Sequence, residues 1–409
     1  MSYFPRTKIE LADSPAVDAF GKLRVSEAFT VFESKQIADA QSLIWATKNV
    51  SGSSTTHSQP RASTILYVTA TSGSRCIRQS KQNITYQAAK SQMILMTGVF
   101  GSPVVGIKKK IGYFNDNNGL FFMQDSGSFK IVKRSSVTGV AIDTEVSQSQ
   151  WNIDKLDGTG TSRLLLNSTQ AQIFVTDFQW LGTGRCRLGF DISGSVQYVH
   201  EFNHANLIDS VYMSTPNLPL RYEIDNVSGS STTGSLEHIC CSVTSEGGRE
   251  IKGFMRSADR YTSSLVNVTA SNPAPIISIR LGTTSAATVL VENFSVMAEG
   301  NANFRWGLHL NPIIRGTVSN AKWIATTGSS VQYDVSRNVT NYVSGGILLR
   351  SGYVASLARA ASIDMSTSGF ENTLLLGKDV DGVSDEIVLS VQSIGPQSNY
   401  YASLTWREF

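Results

Sequence analysis

Ile111-Gly112-Tyr113-Phe114-Asn115-Asp116-Asn117-Asn118-Gly119-Leu120-Phe121-Phe122 is the stretch on which the fold turns. Two short apolar runs flank a polar block that ends in Asn-Gly. That pair between apolar runs is the strongest local sign of a β-hairpin, because both residues tolerate the backbone conformations of tight turns. Working outward, the same rhythm recurs at 63–71, 92–99, 119–122 and 129–132, each run closed by Gly, Asn, Asp or Ser. Further strands are predicted at 172–180, 185–192, 195–202, 220–224 and 236–244, with turns at Gly182-Thr183-Gly184 and Ser193-Gly194.

Composition points the same way. The apolar fraction of 41% is ordinary, whereas charged residues make up only 16%, well below the usual quarter. Uncharged Ser, Thr, Asn, Gln and Gly fill the gap, a mixture suited to strands and turns rather than to solvent-facing helices. With 409 residues the chain exceeds one ordinary core. The polar, Gly-paired connector Ser245-Glu246-Gly247-Gly248-Arg249 marks the main boundary. A second β region follows, with strands predicted at 276–281, 288–297, 304–310, 322–325, 374–376, 386–392 and 401–406 and one short helix near Asp364. No period of 20 to 50 residues runs through the chain, which disfavours propellers and solenoids. The expectation is an all-β protein of two β-sandwich, jelly-roll-like domains, 36–248 and 249–409, behind an extended N-terminal arm over residues 1–35. Pro5, Pro15 and scattered charges without periodicity define that arm. Its Asp18, Phe20, Leu23, Arg24, Val25 and Phe29 are the candidates for docking on partner subunits.

A formal net charge of +3, spread along the chain, gives no support to direct nucleic-acid binding. Lys108-Lys109-Lys110, with Lys130, Lys133 and Arg134, reads as a set of solvated strand-edge charges. Cys76, Cys186, Cys240 and Cys241 are too few for a stapled scaffold and contain no CxxC pair. They read as reduced and buried, with Cys240 and Cys241 facing opposite sides of a strand. The N-terminus lacks the apolar core of a secretory signal, and no run approaches a membrane span. A cytoplasm-like compartment until assembly is therefore expected. Without a secretory signal, the Asn-x-Ser/Thr triplets at Asn83, Asn226 and Asn267 read as chance.

Chemistry has a few footholds. His200-Glu201-Phe202-Asn203-His204 matches H-E-x-x-H, in which two histidines one helical turn apart hold zinc and the Glu acts as base. The preceding Ser195 to Val199 alternate like a strand, where residues four apart lie roughly 13 Å from each other, so a structural polar cluster is the favoured account. No metal or cofactor is expected; His200, Glu201 and His204 are the weak candidates. Asp177, Asp191, Glu201 and Glu223 are the carboxylates a glycosidase would have to pair across a cleft. No Gly-x-Ser-x-Gly elbow opens a helix after a strand. Asp379-Val380-Asp381-Gly382 with Asp385, and Asp154 with Asp157-Gly158, are oxygen-rich but complete no calcium loop, and turns in which Asp caps its own backbone explain both. Most of Trp45, Trp151, Trp180, Trp306, Trp323 and Trp406 are assigned to the core.

Several long segments carry a resemblance. They include Asp18-Ala19-Phe20-Gly21-Lys22-Leu23-Arg24-Val25-Ser26-Glu27, the hairpin from Ile111 to Phe122, Trp151 to Gly158, Phe178 to Gly182, His200 to Asn206, Val211 to Glu223 and Leu236 to Cys240. Through these, roughly to residue 250, and through the closing Ser403 to Glu408, the chain resembles a family of virion structural proteins of tailed phages. The resemblance implies a particle component made in the host cytoplasm, with no catalytic residues to carry over and other capsid, neck or tail subunits as partners. The expected function is non-enzymatic: head decoration, head fibre, or neck or tail appendage. It implies assembly as a symmetric homo-oligomer, a trimer or higher. The rivals are a receptor-binding tail fibre protein recognising host surface glycans, and a metal-dependent or glycan hydrolase.

Overall fold

The computed structural model describes residues 27–227, 232–247, 253–269, 271–282, 287–299, 302–316, 321–355, 360–364 and 375–409. Among them the protein is all-β, with antiparallel sheets, two single-turn 3-10 segments and no α-helix. In the first half, one sheet runs β13 (Ser195–Phe202), β12 (Cys186–Ile192), β11 (Gln172–Phe178), β6 (Gln92–Val99), β15 (Gly234–Glu246), β4 (Ser63–Val68) and β3 (Ser54–Ser58). Along the far end of β15 lies β1 (Ala28–Lys35). The facing sheet runs β10 (Ile142–Ser147), β9 (Ser128–Ser135), β8 (Gly119–Asp125), β7 (Ile107–Phe114), β14 (Leu220–Asn226), β5 (Arg75–Ser80) and β2 (Trp45–Val50).

Alternation decides which side chains fill the space between. In β6, Ile94 and Met96 point into the core while Met93, Leu95 and Thr97 are half-buried on the other face. Phe122, Phe174 and Phe190 meet there with ring centroids 5.1–5.4 Å apart, the tilted packing that aromatic quadrupoles favour. The opening hairpin is apolar on both faces for a physical reason. Leu120 and Phe122 enter the main core, whereas Phe121 and Met123 form a second small cluster with Phe114 and Val132 on the outer side. Arg134 and Arg221 roof that cluster, their guanidinium carbons each 5.3 Å from a ring centroid, of Phe121 and Phe114 respectively.

In the second half, one sheet runs β16 (Phe254–Val268), β28 (Ser398–Glu408), β18 (Val289–Ala298) and β25 (Ala360–Asp364), with β26 (Leu375–Leu376) also on β18. The other runs β21 (Ile324–Ala325), β22 (Val331–Asp334), β17 (Ala274–Leu281), β27 (Glu386–Ile394), β19 (Asn303–Leu310) and β24 (Ile347–Val354). A short ribbon pairs β20 (Ile313–Arg315) with β23 (Tyr342–Ser344). Phe294, Phe304, Trp306, Leu389, Tyr400 and Trp406 fill a second, separate core. The halves touch through Lys81 on Asp385 at 3.3 Å, the Thr85 and Thr288 hydroxyls at 2.9 Å, and Lys48 on Asp381.

Four sequence expectations change. Residues 28–35 do not belong to an arm: they form β1, whose residues pair from Ala28 with Glu246 to Lys35 with Cys240, so Phe29 sits on a strand. Residues 1–26, and with them Asp18, Phe20, Leu23, Arg24 and Val25, lie outside the described residues. The helix expected near Asp364 is strand as far as Asp364, and residues 365–374 are outside the described set. Strand β7 is central rather than an edge, so its lysines are not edge charges: Lys109 is buried, donating to the carbonyls of Phe100 and Ser102. Finally, Asn118-Gly119 is not itself the turn. Four residues, Asn115–Asn118, close the hairpin while Asn115 Oδ1 accepts from the amides of Asn117 and Asn118, and Gly119 is already in β8 opposite Phe114.

Candidate functional site

Each sequence candidate takes its position from the sheets. Strand β13 runs through His200, Glu201 and Phe202, so His200 and Glu201 project to opposite faces. His200, buried, accepts from the Asn152 amide at 3.3 Å and packs edge-on against Phe202. Glu201 accepts from Asn203 at 2.9 Å and lies 3.9 Å from Arg185. His204, beyond the strand, has both ring nitrogens engaged. Its Nδ1 is 2.7 Å from the Gly184 carbonyl, which only accepts, so the proton sits on Nδ1; Nε2 accepts from Lys133 at 3.1 Å. The ring stacks on Tyr212 with centroids 4.2 Å apart. Burial pulls both imidazoles below the usual histidine range, and for His204 the Lys133 charge adds to it. The motif therefore does not converge on a metal, and among the described residues no group of three or more His, Cys, Asp or Glu side chains is placed to hold one.

The four carboxylates do not gather in one cleft. Asp177 and Glu201 lie in one cross-strand row with Arg187 between them, two strand spacings or about 10 Å apart. That span is filled: Asp177 accepts from Ser91 at 2.7 Å, from Tyr198 at 3.0 Å and from Arg187, whose guanidinium lies over the Tyr198 ring. Asp191 caps the Ser193-Gly194 turn, accepting from the Gly194 amide at 2.9 Å. Glu223 is in the facing sheet, 1% exposed, and binds Lys110 at 2.7 Å, Arg75 at 3.0 Å and Arg221 at 3.2 Å. Burial alone would raise its pKa; the three cations outweigh it and hold the carboxyl at about 2. Asp225 and Asp116 complete a six-charge network, on Lys110 and Arg221 respectively.

The remaining motifs are also spent locally. Asp379 accepts from the amides of Asp381 and Val383, and Asp154 from those of Leu156 and Ser162. Both are turn caps. In the basic set, Lys108 and Lys130 pair with Asp125, and Arg134 pairs with Asp143. Trp45, Trp151, Trp306 and Trp406 are core residues. Cys76, Cys186 and Cys241 are buried free thiols, while Cys240 is half-exposed on the opposite side of β15.

What the sequence reading missed are surfaces. A cavity of 430 Å³ lies at the junction of the halves, between Val31, Tyr86, Phe254 and Phe409. A polar cleft of 330 Å³ beside it is lined by Asp116, Arg221, Lys378 and Asp379. An open groove of 760 Å³ crosses the outer face of β16, β28 and β18, with Tyr261, Met297 and Tyr401 on its floor and Ser295, Ser403 and Glu299 beside them. Its signal in the sequence is the alternation of Tyr400 to Arg407, where every second residue is polar or Tyr.

No family model matches the sequence, and no curated protein matches it. Among solved structures the chain is similar to a glycosyl hydrolase family protein from Mycobacterium fortuitum, at 8% identity and TM-score 0.37, over 53% of this chain and 99% of that one. It is similar to a glycoside hydrolase family 16 endo-glucanase from Bacteroides ovatus, at 9% identity and TM-score 0.35, over 52% of this chain and 99% of that one. It is also similar to the carbohydrate recognition domain of Emp47p, at 10% identity and TM-score 0.32, over 58% of this chain and 100% of that one.

Proposed function

We propose that the chain is a non-enzymatic structural component on the surface of a tailed-phage particle, a decoration, fibre or appendage that works by packing against copies of itself and against other virion proteins. The observation that carries this reading is the fate of the chemically capable side chains. Glu223, Asp177 and His204 are each saturated by partners within the fold, and a group already holding two or three bonds is poorly placed to attack, protonate or ligate anything else. The family resemblance of the N-terminal 250 residues supports it. So does β1, which joins the segment preceding it directly to a sheet edge through β15.

The test removes residues 1–26 and leaves β1 in place. Particles assembled with the shortened chain should lack it, while its circular dichroism and melting temperature match the full chain; undiminished incorporation overturns the docking role. Gold labelling of intact particles then reads its position. Stoichiometric zinc together with a hydrolytic activity abolished by chelation would replace the structural reading with the enzymatic one. A receptor-binding appendage that recognises host glycans is the second reading, favoured by the open groove on the second half.

A further inference from the structure

We infer that the outer face of the β16-β28-β18 sheet is a binding site for an uncharged saccharide chain, with Tyr261 and Tyr401 as its stacking platform; this rests on the glycan reading above. Strand alternation builds the face. Tyr400, Ala402, Leu404 and Trp406 are buried, which turns Tyr401, Ser403, Thr405 and Arg407 outward. Register then aligns rows across the sheet: Met297 beside Tyr401, Ser295 beside Ser403, Asn293 beside Thr405. Tyr261 is 74% exposed and Met297 47%, so both large side chains are open to a ligand on this face.

The chemistry of the face selects the ligand class. Next to the rings runs a line of neutral hydroxyls, with Ser295 and Ser403 already 2.7 Å apart, the spacing at which a hydroxyl ligand exchanges bonds with the pair. Of the charged groups on the face, Arg407 pairs with Glu292 at 2.5 Å, while Glu299 accepts from the neutral Asn399 at 2.7 Å and the exposed Asp259 lies beside Ser403 in register, so the face carries carboxylate charge. That negative charge disfavours phosphates and polyanions. A protein partner would favour an apolar centre with a polar rim. Here the hydroxyls occupy the middle strands and the aromatic rings one end. Apolar ring faces alongside hydroxyls complement a pyranose, which presents C–H faces and hydroxyl edges together.

The experiment titrates the full chain with maltohexaose, cellohexaose, xylohexaose and mannohexaose, followed by saturation-transfer NMR. At least one should bind, weakly per site and tightened by avidity in an oligomer. Tyr401→Ala and Tyr261→Ala should each weaken it about tenfold or more, with melting temperature unchanged and Tyr401→Phe retaining binding. Binding that ignores both alanine substitutions overturns the groove while leaving the glycan reading in place. No binding of any of the four at about 10 mM overturns both. A concentration-dependent dimer that Tyr401→Ala dissolves would make the face a contact between copies and overturn the site.

Discussion

Arg78 of β5 donates through Nε to Nδ1 of His238 of β15, 3.1 Å away, and so joins the two sheets of the first half through the middle of their apolar core. The same guanidinium reaches Thr47 at 3.1 Å, Gln36 at 3.0 Å and the Ala40 carbonyl, and lies over the ring of Trp45. His238 is sandwiched between Trp45 and Tyr222, with centroids 4.5 and 4.1 Å away. Burial, then the adjacent guanidinium, forces the imidazole far below the ordinary histidine range, so it is neutral.

This makes the fold acid-sensitive in a definite direction. The unfolded imidazole takes up a proton near pH 6.5, whereas the folded one takes it up only at much lower pH, so the unfolded state binds more protons and stability falls as pH drops below about 6.5. The contribution is at most about 1.4 kcal/mol per pH unit. His238→Phe keeps the aromatic sandwich and removes the titration. It should cost about 1–3 kcal/mol at pH 8, where Arg78 Nε loses its acceptor, yet flatten the urea midpoint between pH 6.5 and 5 relative to the wild type. A parallel pH profile would assign the acid sensitivity to other groups.

Glu223 supplies the opposite case, a carboxylate stabilised in its charged form. Its folded pKa of about 2 lies below the unfolded value, so its stabilisation is complete above about pH 4.5 and is lost as pH falls toward 2, amounting to about 3 kcal/mol. Glu223→Gln leaves Lys110, Arg75 and Arg221 crowded together without their shared counter-charge. Urea unfolding at pH 7 should show a loss of about 3–5 kcal/mol, a larger effect than substitution of exposed Glu33. A loss below about 1 kcal/mol would mean that solvent already screens the network.

Local patterning explains what could be read from the sequence. Strands β6 and β13 fall on the predicted 92–99 and 195–202 because β6 carries the continuous apolar run Met93 to Met96 and β13 opens on the alternation Ser195-Val196-Gln197-Tyr198. Strand β5, Arg75-Cys76-Ile77-Arg78-Gln79-Ser80, was not foreseen, since two arginines in six residues resemble a loop. Arg78 becomes a core residue only through partners 31 to 160 positions away. Strand β16 was missed for the same reason, its Arg256, Asp259 and Arg260 breaking the apolar pattern. Asp177 and Glu223 stood out by residue type alone. Their occupation by Ser91, Tyr198, Lys110 and Arg75 comes from strand order, which no local pattern encodes.

The hairpin glycine can be tested directly. Gly119 has φ +149°, and a Cβ there would sit 2.1 Å from Cβ of Phe114, its partner across the ladder. Phe114 is fixed by Phe121, 4.4 Å away centroid to centroid, and by Arg221 above it, so it cannot yield cheaply. Gly119→Ala should destabilise the protein by about 2 kcal/mol or more, well beyond the usual glycine-to-alanine effect. Gly139→Ala, with open space around its Cβ but φ +89°, isolates the cost of backbone conformation alone and should be milder.

Lys109 gives a prediction at alkaline pH. Its ammonium is buried against the carbonyls of Phe100 and Ser102, and burial lowers its pKa to about 8, against about 10.4 in an unfolded chain. Below pH 8 both states carry the proton and no dependence arises. Between about pH 8 and 10.4 the unfolded state holds the proton and the folded state has released it, so stability rises with pH, by up to about 3 kcal/mol. Lys109→Met fills the same slot without a charge and should abolish that rise in denaturation experiments from pH 7.5 to 10. At pH 7 its net effect is small: relief from burying an ammonium offsets the two carbonyls left without a donor. If the wild type shows no rise over this range, the ammonium is better hydrated than its contacts with the two carbonyls imply.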